Sequence, residues 1–467
     1  MRSKVELFCL LSLGSAVAFA SVPSCSTKNE NGPTADGGDA AIRDVTVEDT
    51  RPVPDVIQGD VPMPPAGTFC SLPGSVVWGD GGAFGIVPGG PDGLDTTLTW
   101  LGLPSGFCAH YFTTVHAARQ VRIAPGGDLF VASPSRSTPG GGGGGLGAIV
   151  VLPDDNHDGY ADSTITFLGN LDATQGILFA KSSLYFQDDQ TIRSVPFAPK
   201  DRQPSGAPVA VSTVPVQAEA DHWSKVIDIA QDGSLYVSNG SGEAEACIST
   251  RPVKGAIFRI EADGSETEMI KGFRNPIAMR CETDHNVCLV VELERDLSGS
   301  AGGREKIVPL HQGDDWGYPC CTTKDTPYAG VTYQDTGQTP DCSGIPVESV
   351  SFVISRTPFG LDFESGKWPS PWGHRMFVTL HGQVGSWTGA RVVGVALDPS
   401  TGLPLPASDL DSGTDPNDML TFATGWDDGT RSHGRPAAVA FSPDGRLFLT
   451  DDWNGVVAWI APVGLKP

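Results

Sequence analysis

The segment Val226-Ile-Asp-Ile-Ala-Gln-Asp-Gly-Ser-Leu-Tyr-Val-Ser238 has the form of a β-hairpin. Apolar runs stand on both sides of an Asp-Gly turn, a strong signal for two antiparallel strands. Similar turn-and-strand segments begin at Ala124, Lys181, Gln231, Asp284, Gly373 and Pro443. The first four lie roughly fifty residues apart, which is typical of propeller blades with about four strands each. The chain is therefore predicted to be all-β, as a six-bladed β-propeller.

The propeller domain is predicted to span residues 67–467. The last two repeats are more widely spaced, so the segments 292–372 and 380–442 are predicted to be long loop insertions. Loops on one rim of a rigid scaffold often carry function. The Gly140–Gly145 run predicts a flexible loop tip.

The first 25 residues are predicted to be a signal peptide, because basic residues precede an apolar run that ends at Ala20. Cleavage after this run gives simple secretion, whereas cleavage before Cys25 gives a lipid anchor on that cysteine. Residues 26–66 are rich in Asp, Gly, Pro and Thr and predict a disordered tether. Both cleavage sites predict an exported protein, either periplasmic or on the cell surface when lipid-anchored, or otherwise secreted.

The net charge of −24 over 467 residues excludes nucleic acid and anionic membrane surfaces as partners. Hydrophobic residues make up 39% of the chain, which is enough for a packed core. Against this acidic background, a group of arginines would be informative. The sequence leaves the oligomeric state open.

Eight cysteines follow Cys25, and an even number in an exported chain predicts disulfide bonds. A cross-strand bond is expected where two cysteines flank a hairpin turn, and another bond is expected to close the start of the domain. These pairs are Cys281 with Cys288, and Cys70 with Cys108. The vicinal residues Cys320 and Cys321 pair with each other or reach elsewhere, with Cys342 the nearest candidate.

The segment from Gly272 to Cys321 combines four features within a short distance. Gly272-Phe-Arg-Asn-Pro276 places a charged fork and an amide where proline fixes the backbone. A strand pair and an acidic loop follow, and the segment ends with the aromatic turn Trp316-Gly-Tyr-Pro319. Carboxylates on a flexible loop suit Ca²⁺, and here they are Glu294, Asp296 and Glu305.

This order of parts resembles the glucose/sorbosone dehydrogenase family, which consists of soluble quinoproteins built on a six-bladed propeller. The family carries a Gly-x-Arg-Asn-Pro motif, a Ca²⁺-binding acidic loop and an aromatic-Gly-Trp-Pro turn, whose two aromatics are exchanged here. Weaker likeness extends over residues 100–460. The resemblance implies oxidation of an aldose or sorbosone-like sugar by hydride transfer to pyrroloquinoline quinone (PQQ). The electrons would pass to an acceptor in the same compartment.

His222 stands where the family has the general base that takes the proton of the sugar hydroxyl, a task that needs a pKa near neutral. The alternative is a histidine packed against Trp223 for structural reasons. The glucose-oxidising branch carries an aspartate nineteen residues further on, where this chain has Ser241. The carboxylate that would orient the imidazole is therefore missing or supplied from elsewhere.

The resemblance also implies a set of cofactor-binding residues. PQQ carries three carboxylates, and arginine binds carboxylates through two hydrogen bonds. Arg274 would in addition stabilise the charge that develops on the quinone. The other candidates are Asn275, Gln175 and Arg435, with Arg119 and Arg391 as weaker ones. The alternative for these residues is a structural role, such as a bridge between blades, a turn amide or a surface charge.

Two segments are candidates for Ca²⁺. In the loop from Glu294 to Glu305, Arg304 replaces an acidic residue that is usual in the family. The second segment spaces its oxygens and one glycine as an EF-hand loop does, but it has Ile165 where the final glutamate belongs and no flanking helices. Its ligands would be Asp154, Asn156, Asp158 and Asp162. The alternative is a plain Asp-rich turn.

Two functions from other classes stay open. A propeller of the same fold could bind a protein or a glycan without catalysis, since fold does not determine function. A Ca²⁺-dependent lactonase would need several carboxylates and an asparagine that converge on one central metal, and the sequence shows no repeated acidic residue at the blade starts.

Overall fold

The computed structural model describes residues 61–90, 98–134, 147–213, 222–242, 245–250, 254–282, 284–295, 303–409 and 418–467. All of them belong to one structural unit, Val56–Pro467. The predicted signal peptide, the tether up to residue 60, the Gly140–Gly145 run and Asp296 lie outside the described residues. None of the helices in the described part is long and apolar enough to span a bilayer.

The first elements precede the repeats that were recognised in the sequence. They are two short 3-10 helices, Phe69–Ser71 and Asp80–Gly82, and the strands β1 (Val76–Trp78), β2 (Phe84–Ile86) and β3 (Phe107–Thr114).

The next three sheets have four antiparallel strands each, in chain order. Blade 1 contains β4 (Val121–Ile123), β5 (Leu129–Ser133), β6 (Gly147–Leu152) and β7 (Ile165–Leu171). Blade 2 contains β8 (Ile177–Ala180), β9 (Ser183–Asp188), β10 (Thr191–Pro196) and β11 (Val209–Thr213). Blade 3 contains β12 (Ile227–Ile229), β13 (Leu235–Asn239), β14 (Ala256–Ile260) and β15 (Glu266–Lys271).

The remaining three blades are built less regularly. Blade 4 contains β16 (Asn275–Glu282), β17 (Val287–Leu293), β18 (Glu305–Pro309) and β21 (Val350–Phe352), and β19 (Cys321–Thr323) and β20 (Thr326–Pro327) form a separate hairpin. Blade 5 contains β22 (Pro358–Phe363), β23 (Arg375–Leu380), β24 (Arg391–Ala396) and β26 (Met419–Ala423), while β25 (Ala407–Ser408) joins blade 4 parallel to β21. Blade 6 contains β27 (Pro436–Phe441), β28 (Leu447–Asp451) and β29 (Val456–Pro462).

Blade 6 closes the propeller, because its fourth strand is β3 from the other end of the domain. The strands β1 and β2 extend the same sheet. The first strand of each blade contacts the first strand of the next blade, and β27 contacts β4. This ring of six inner strands surrounds the central channel and confirms the prediction of an all-β, six-bladed β-propeller.

All six sequence repeats are inner hairpins, each made of the first and second strands of one blade. The predicted insertions need a correction, because 292–372 and 380–442 also contain the outer strands of blades 4 and 5. The wide spacing of the last two sequence repeats had hidden these outer strands. The true insertions are the segments 310–349 and 397–418.

Four disulfides use all eight cysteines of the domain. Two of them match the predicted pairs, Cys70–Cys108 and the cross-strand bond Cys281–Cys288. The vicinal bond does not form, because Cys320 pairs with Cys247 and Cys321 pairs with Cys342. These last two bonds tie the 310–349 insertion together and fasten it to the loop before β14.

Gly255 provides a test of how blade 3 packs against the start of blade 4. A Cβ at this position would lie 1.6 Å from the carbonyl oxygen of Phe273. We expect Gly255→Ala to lower the free energy of unfolding by at least about 2 kcal/mol, because backbone atoms must move apart. Gly344→Ala, where no atom lies within 4 Å, is the control. Equal stability of the two variants in denaturant unfolding would contradict this packing.

Candidate functional site

Polar side chains gather at one end of the channel because each blade carries one just before its inner strand. The inner strands β16, β22 and β27 each have a proline at their first or second position, and a bulge follows it, where one residue is unpaired and the strand turns. Each proline follows an arginine within one or two positions, and the preceding blades carry arginine, glutamine or lysine at the corresponding place. The residues are Arg119, Gln175, Lys225, Arg274, Arg356 and Arg435.

The carboxylate of Asp452 joins three blades at this end of the channel. It accepts hydrogen bonds from Arg119 Nε at 3.0 Å and from Arg435 Nε at 2.7 Å. His381, which follows β23 of blade 5, lies with Nε2 3.1 Å from the same carboxylate. Only 2% of the Asp452 side chain is exposed. We call Arg119, His381, Arg435 and Asp452 the channel-mouth cluster.

The channel-mouth cluster carries a surplus of positive charge. Burial opposes ionisation of Asp452, but His381, Arg435 and Arg119 outweigh it, so the pKa of the carboxyl lies well below its ordinary value. Burial lowers the pKa of His381 to about 4, with Arg435 contributing, so this imidazole is neutral at pH 7. Two guanidinium charges then face one carboxylate charge. Burial also raises the pKa of the adjacent Asp451 to about 8, so that residue adds little negative charge.

Aromatic rings flank both arginines of the channel-mouth cluster. The guanidinium of Arg119 lies 5.4 Å from the ring centroid of Trp223 and 5.0 Å from that of Phe359. The guanidinium of Arg435 lies 4.7 Å from the ring of Trp387. Such contacts hold the cations in place and present flat, apolar surfaces beside them.

Gln175 connects the cluster to the other side of the channel. Its Oε1 accepts a hydrogen bond from Arg119 Nη1 at 3.1 Å, and its Nε2 donates to the carbonyl of Ile277 in the β16 bulge at 3.2 Å. Gln175 is buried. The sequence-predicted residues Arg119, Gln175 and Arg435 are therefore brought together.

His222 is held by the backbone of the residue that occupies the family's aspartate position. Its Nδ1 forms a short hydrogen bond with the carbonyl oxygen of Ser241. Because a carbonyl only accepts, Nδ1 carries the proton and Nε2 is the unprotonated nitrogen of the neutral ring. The Ser241 hydroxyl instead donates to the carbonyls of Phe273 and Arg274, at 3.1 and 3.2 Å. Among the described residues, a backbone carbonyl thus orients the imidazole.

His222 and Asn275 meet around Gly240. A Cβ at Gly240 would lie 2.5 Å from the Cβ of His222 and 3.5 Å from Oδ1 of Asn275. That Oδ1 is buried and has no hydrogen-bond partner among the described residues. A buried amide oxygen without a partner is costly and marks a place where a ligand or water can donate.

Arg274 lies beside the buried carboxyl group of Glu292 on β17. Its backbone N–H donates to Glu292 Oε1 at 2.8 Å, and its Nη1 lies 3.5 Å from the carbonyl oxygen of Leu293. Burial raises the pKa of Glu292 to about 8, and Glu294 adds to that shift while Lys306 opposes it. Glu292 is therefore largely neutral at pH 7.

The aromatic turn positions the strand that carries Arg274. The backbone N–H groups of Trp316 and Tyr318 donate to the carbonyls of Lys271 and Gly272, at 2.8 and 2.9 Å. Gly272 has a φ of +82°, and a Cβ there would lie 2.3 Å from Oδ1 of Asp315. The close spacing of the glycine, the arginine and the turn in the sequence therefore has a structural cause.

Lys225 is a buried amine that the sequence analysis missed. Its Nζ donates to Asn239 Oδ1 at 2.7 Å, and Asn239 Nδ2 donates to the Gly240 carbonyl at 3.2 Å. Burial lowers the pKa of Lys225 to about 7, and Asp189 opposes the shift. The amine thus supports the loop on which His222 and Ser241 meet.

Asp452 was also missed, and His381-Gly382 was matched to a His-Gly of the sorbosone branch without a role, although the repeat contains a signal for both residues. Each follows the second strand of an inner hairpin within one residue, as Ser241 does within two. Chain ends of second strands and chain starts of first strands lie at the same end of an antiparallel hairpin. The last residues of each repeat could therefore have been added to the candidates.

Arg391 has a different environment from the channel-mouth cluster. Its Nη2 lies 3.0 Å from Asp409 Oδ1, and Arg356 Nε lies 3.0 Å from the other oxygen of that carboxylate. Asp409 is fully buried. Arg391 is thus not the isolated surface charge that was one of the alternatives, and a role in cofactor binding stays a prediction.

The carboxylates predicted to bind Ca²⁺ near blade 4 are occupied by protein groups. Glu294 accepts hydrogen bonds from the Tyr328 hydroxyl and from the N–H of Arg295, and Lys306 Nζ lies 3.5 Å away. Glu305 Oε2 accepts from the N–H of Thr357 at 2.5 Å. The third predicted ligand, Asp296, lies outside the described residues.

In the Asp-rich loop between β6 and β7, some of the oxygens accept hydrogen bonds from within the loop, whereas Asp154 Oδ1 is buried without a partner among the described residues. Asn156 Nδ2 donates to Asp158 Oδ2 at 3.0 Å, and Asp162 Oδ2 accepts from the N–H of Asp155 at 2.6 Å. Asp154 lies 3.8 Å from Arg446. In the described ranges no group of three or more His, Cys, Asp or Glu side chains could hold a metal ion. Ca²⁺ binding at these residues stays a prediction.

Comparison of the sequence with known families gives one match, over part of the chain. A family model described as a domain of unknown function (DUF7133) matches residues 113–296. No curated protein matches the chain.

Solved structures of similar fold cover most of the chain. The holo form of the pyranose dehydrogenase PQQ domain from Coprinopsis cinerea is 17% identical over 77% of this chain and 96% of its own, with a TM-score of 0.61. The iodide structure of a Trichoderma reesei member of Carbohydrate-Active Enzymes Family AA12 is 15% identical over 80% and 100%, with a TM-score of 0.62. The PQQ-bound aldose sugar dehydrogenase from Streptomyces coelicolor is 16% identical over 77% and 99%, with a TM-score of 0.50. The chain therefore has the six-bladed propeller fold found in these dehydrogenases.

Gly240→Ala tests the contact that fixes His222. The added Cβ would lie 2.5 Å from the Cβ of His222, so the ring must move away from the Ser241 carbonyl. We expect ¹⁵N NMR of the parent to show a protonated Nδ1 on His222, and the variant to lose this single tautomer. Gly464→Ala, which has no atom within 4 Å, is the control. An Nε2-protonated ring in the parent would contradict the assignment.

His381 makes stability depend on pH. Its pKa of about 4 lies below the ordinary value of 6.5, so the unfolded chain binds the extra proton first as pH falls. The contribution of neutral His381 to the free energy of unfolding is fully present above pH 6.5 and is lost as the pH falls through 4. Between pH 7 and 4.5, we expect the free energy of unfolding, measured with denaturant, to fall by about 2 kcal/mol more in the parent than in His381→Gln. Identical pH dependence in both proteins would contradict a neutral, buried His381.

Proposed function

We propose that this protein is a PQQ-dependent sugar dehydrogenase. The observation that carries the proposal is the channel-mouth cluster, a buried group of net positive charge in a chain of net charge −24. Sites that bind polyanionic cofactors need such fixed cations. The fold likeness to dehydrogenases that bind PQQ supports the same conclusion.

The residues present fit the cofactor in charge and in shape. Arg119 and Arg435 would neutralise carboxylates of the cofactor, and the adjacent aromatic rings suit a flat ring system. Asn275, whose buried Oδ1 has no partner in the described chain, and Gln175 would supply polar contacts. When bound, PQQ supplies an ortho-quinone that accepts hydride from the substrate.

His222 would act as the general base toward the sugar hydroxyl. The Ser241 carbonyl keeps the proton on Nδ1, so Nε2 is the nitrogen able to accept a proton. The ring is buried, which limits competing proton exchange with solvent. Arg274, next to a largely neutral Glu292, would stabilise negative charge that develops near its guanidinium.

Several finer parts of the proposal remain untested predictions. We infer an aldose or sorbosone-like substrate, an electron acceptor in the same compartment, and an exported protein with or without a lipid on Cys25. Ca²⁺ binding stays a prediction, and one of its predicted ligands, Asp296, lies outside the described residues.

The two alternative functions, a Ca²⁺-dependent lactonase and a propeller that binds without catalysis, require different sites. A lactonase needs carboxylates that converge on a central metal, and within the described residues none do so. A propeller that binds a protein or glycan without catalysis requires none of the cation cluster, so cofactor binding separates it from a dehydrogenase.

His222→Gln tests the proposed base. We expect the parent to reduce an electron-accepting dye with at least one aldose when PQQ and Ca²⁺ are present. The variant should bind the cofactor equally well but turn over at least about 10²-fold more slowly, because no group takes the hydroxyl proton. His311→Gln, at a histidine whose side chain is 64% exposed, is the control. Undiminished turnover in His222→Gln would reject the base, and absence of PQQ binding in the parent would reject the proposed function.

A further inference from the structure

Arg122 is a buried arginine that the candidate site does not use. It lies on the inner strand β4 of blade 1, and only 6% of the residue is exposed. Two of its guanidinium nitrogens, Nε and Nη2, are buried and have no hydrogen-bond partner among the described residues. The third, Nη1, lies 3.4 Å from the carbonyl oxygen of Val121. A buried cation with unsatisfied donors is costly, and it marks a place where an acceptor can bind.

The carboxylates near Arg122 are engaged by other groups. Asp228 Oδ2 lies 3.7 Å from Arg122 Nη2, which is too far for a hydrogen bond. The same oxygen accepts from the backbone N–H of Cys281 at 3.3 Å and lies 3.5 Å from Arg280 Nη1. Asp362 accepts from Arg280 Nε at 2.8 Å. Burial lowers the pKa of Arg122 to about 10, with Arg280 contributing, so the guanidinium is still charged at pH 7.

Arg122 lines a small cavity to which all six blades contribute, and which therefore lies in the central channel. Arg119, Gln120 and Gln175 supply its other polar side chains, and apolar residues and a glycine complete it. In the described part of the chain no carboxylate lines this cavity. Its volume is about 20 Å³, whereas one water molecule needs at least about 10–15 Å³. The cavity therefore has room for one water molecule or one small ion.

The hydrogen bonds of the lining decide between these two occupants. Arginine only donates, so the acceptors among the lining side chains are the two amide oxygens. Gln175 Oε1 already accepts from Arg119 Nη1 at 3.1 Å, and Gln120 Oε1 accepts from the N–H of Ile177 at 2.8 Å. A water molecule would need acceptors for its two O–H groups, whereas a halide ion only accepts. The apolar part of the lining favours a univalent ion, because it loses less hydration free energy on burial than a divalent one.

We propose that Arg122 binds one chloride ion in this cavity. The inference does not rest on the proposed function, because the ion would bind to the protein without PQQ. Chloride would accept hydrogen bonds from Nε and Nη2 and would balance the charge of a guanidinium whose nearest carboxylate, Asp228, is shared with Arg280. The cavity is built by all six blades and exists only in the folded chain, so the ion would stabilise the closed propeller.

A chloride titration at constant ionic strength tests the site on the whole chain without PQQ. Sodium chloride replaces sodium gluconate, whose anion is too large for the cavity. We expect the Tm of the parent to rise with the chloride concentration, because the ion binds only the folded state. Arg122→Gln should weaken the chloride affinity at least about tenfold, since it removes the charged donors. Arg259→Gln, whose arginine is 33% exposed and pairs with Glu261, is the control and should respond to chloride as the parent does.

Bromide crystallography locates the ion, and it decides the question even if Arg122→Gln does not fold. Crystals of the parent grown with sodium bromide should show an anomalous peak in contact with the Arg122 guanidinium. Arg435→Gln should keep this peak, because Arg435 belongs to the channel-mouth cluster and does not line the cavity. A cavity without anomalous signal, a peak at Arg435 alone, or an unchanged chloride response in Arg122→Gln would overturn the inference.

Discussion

The hydrogen bonds to the Asp452 carboxylate are the interaction on which the candidate site depends. Arg119 comes from blade 1, His381 from blade 5, and Arg435 and Asp452 from blade 6. These blades meet where the propeller closes, because β3 completes the sheet of blade 6. One buried carboxylate thus fixes two arginines beside the channel at the seam of the ring.

Stability alone is a weak reason to bury such a cluster. Removing several charges from water costs free energy that their mutual attraction often only offsets, and apolar side chains of similar size would serve the fold as well. The surplus positive charge and the depressed pKa of His381 are expected where a site awaits an anionic partner.

The hairpin repeats predicted the fold because each repeat is local, with two strands and their turn adjacent in the chain. Arg119, Gln175, Arg435, His222 and Asn275 were found through short motifs that precede the inner strands. Asp452 was not, since its contact with Arg119 spans 333 residues. The orientation of His222 could not be read from side chains either, because a backbone carbonyl provides it. In the Asp-rich loop, Asp158 and Asp162 accept hydrogen bonds from backbone N–H groups of their own loop, and Ca²⁺ binding there stays a prediction.

The central claim is that the channel-mouth cluster binds PQQ. Isothermal titration calorimetry with PQQ and Ca²⁺ tests it directly on the parent, on Arg435→Gln and on Arg202→Gln. Arg202, on blade 2, pairs with Asp128 and Asp155 on blade 1. The account predicts one PQQ per chain, at least about tenfold weaker binding in Arg435→Gln, and unchanged binding in Arg202→Gln. No binding to the parent, or equal binding to all three proteins, would contradict it.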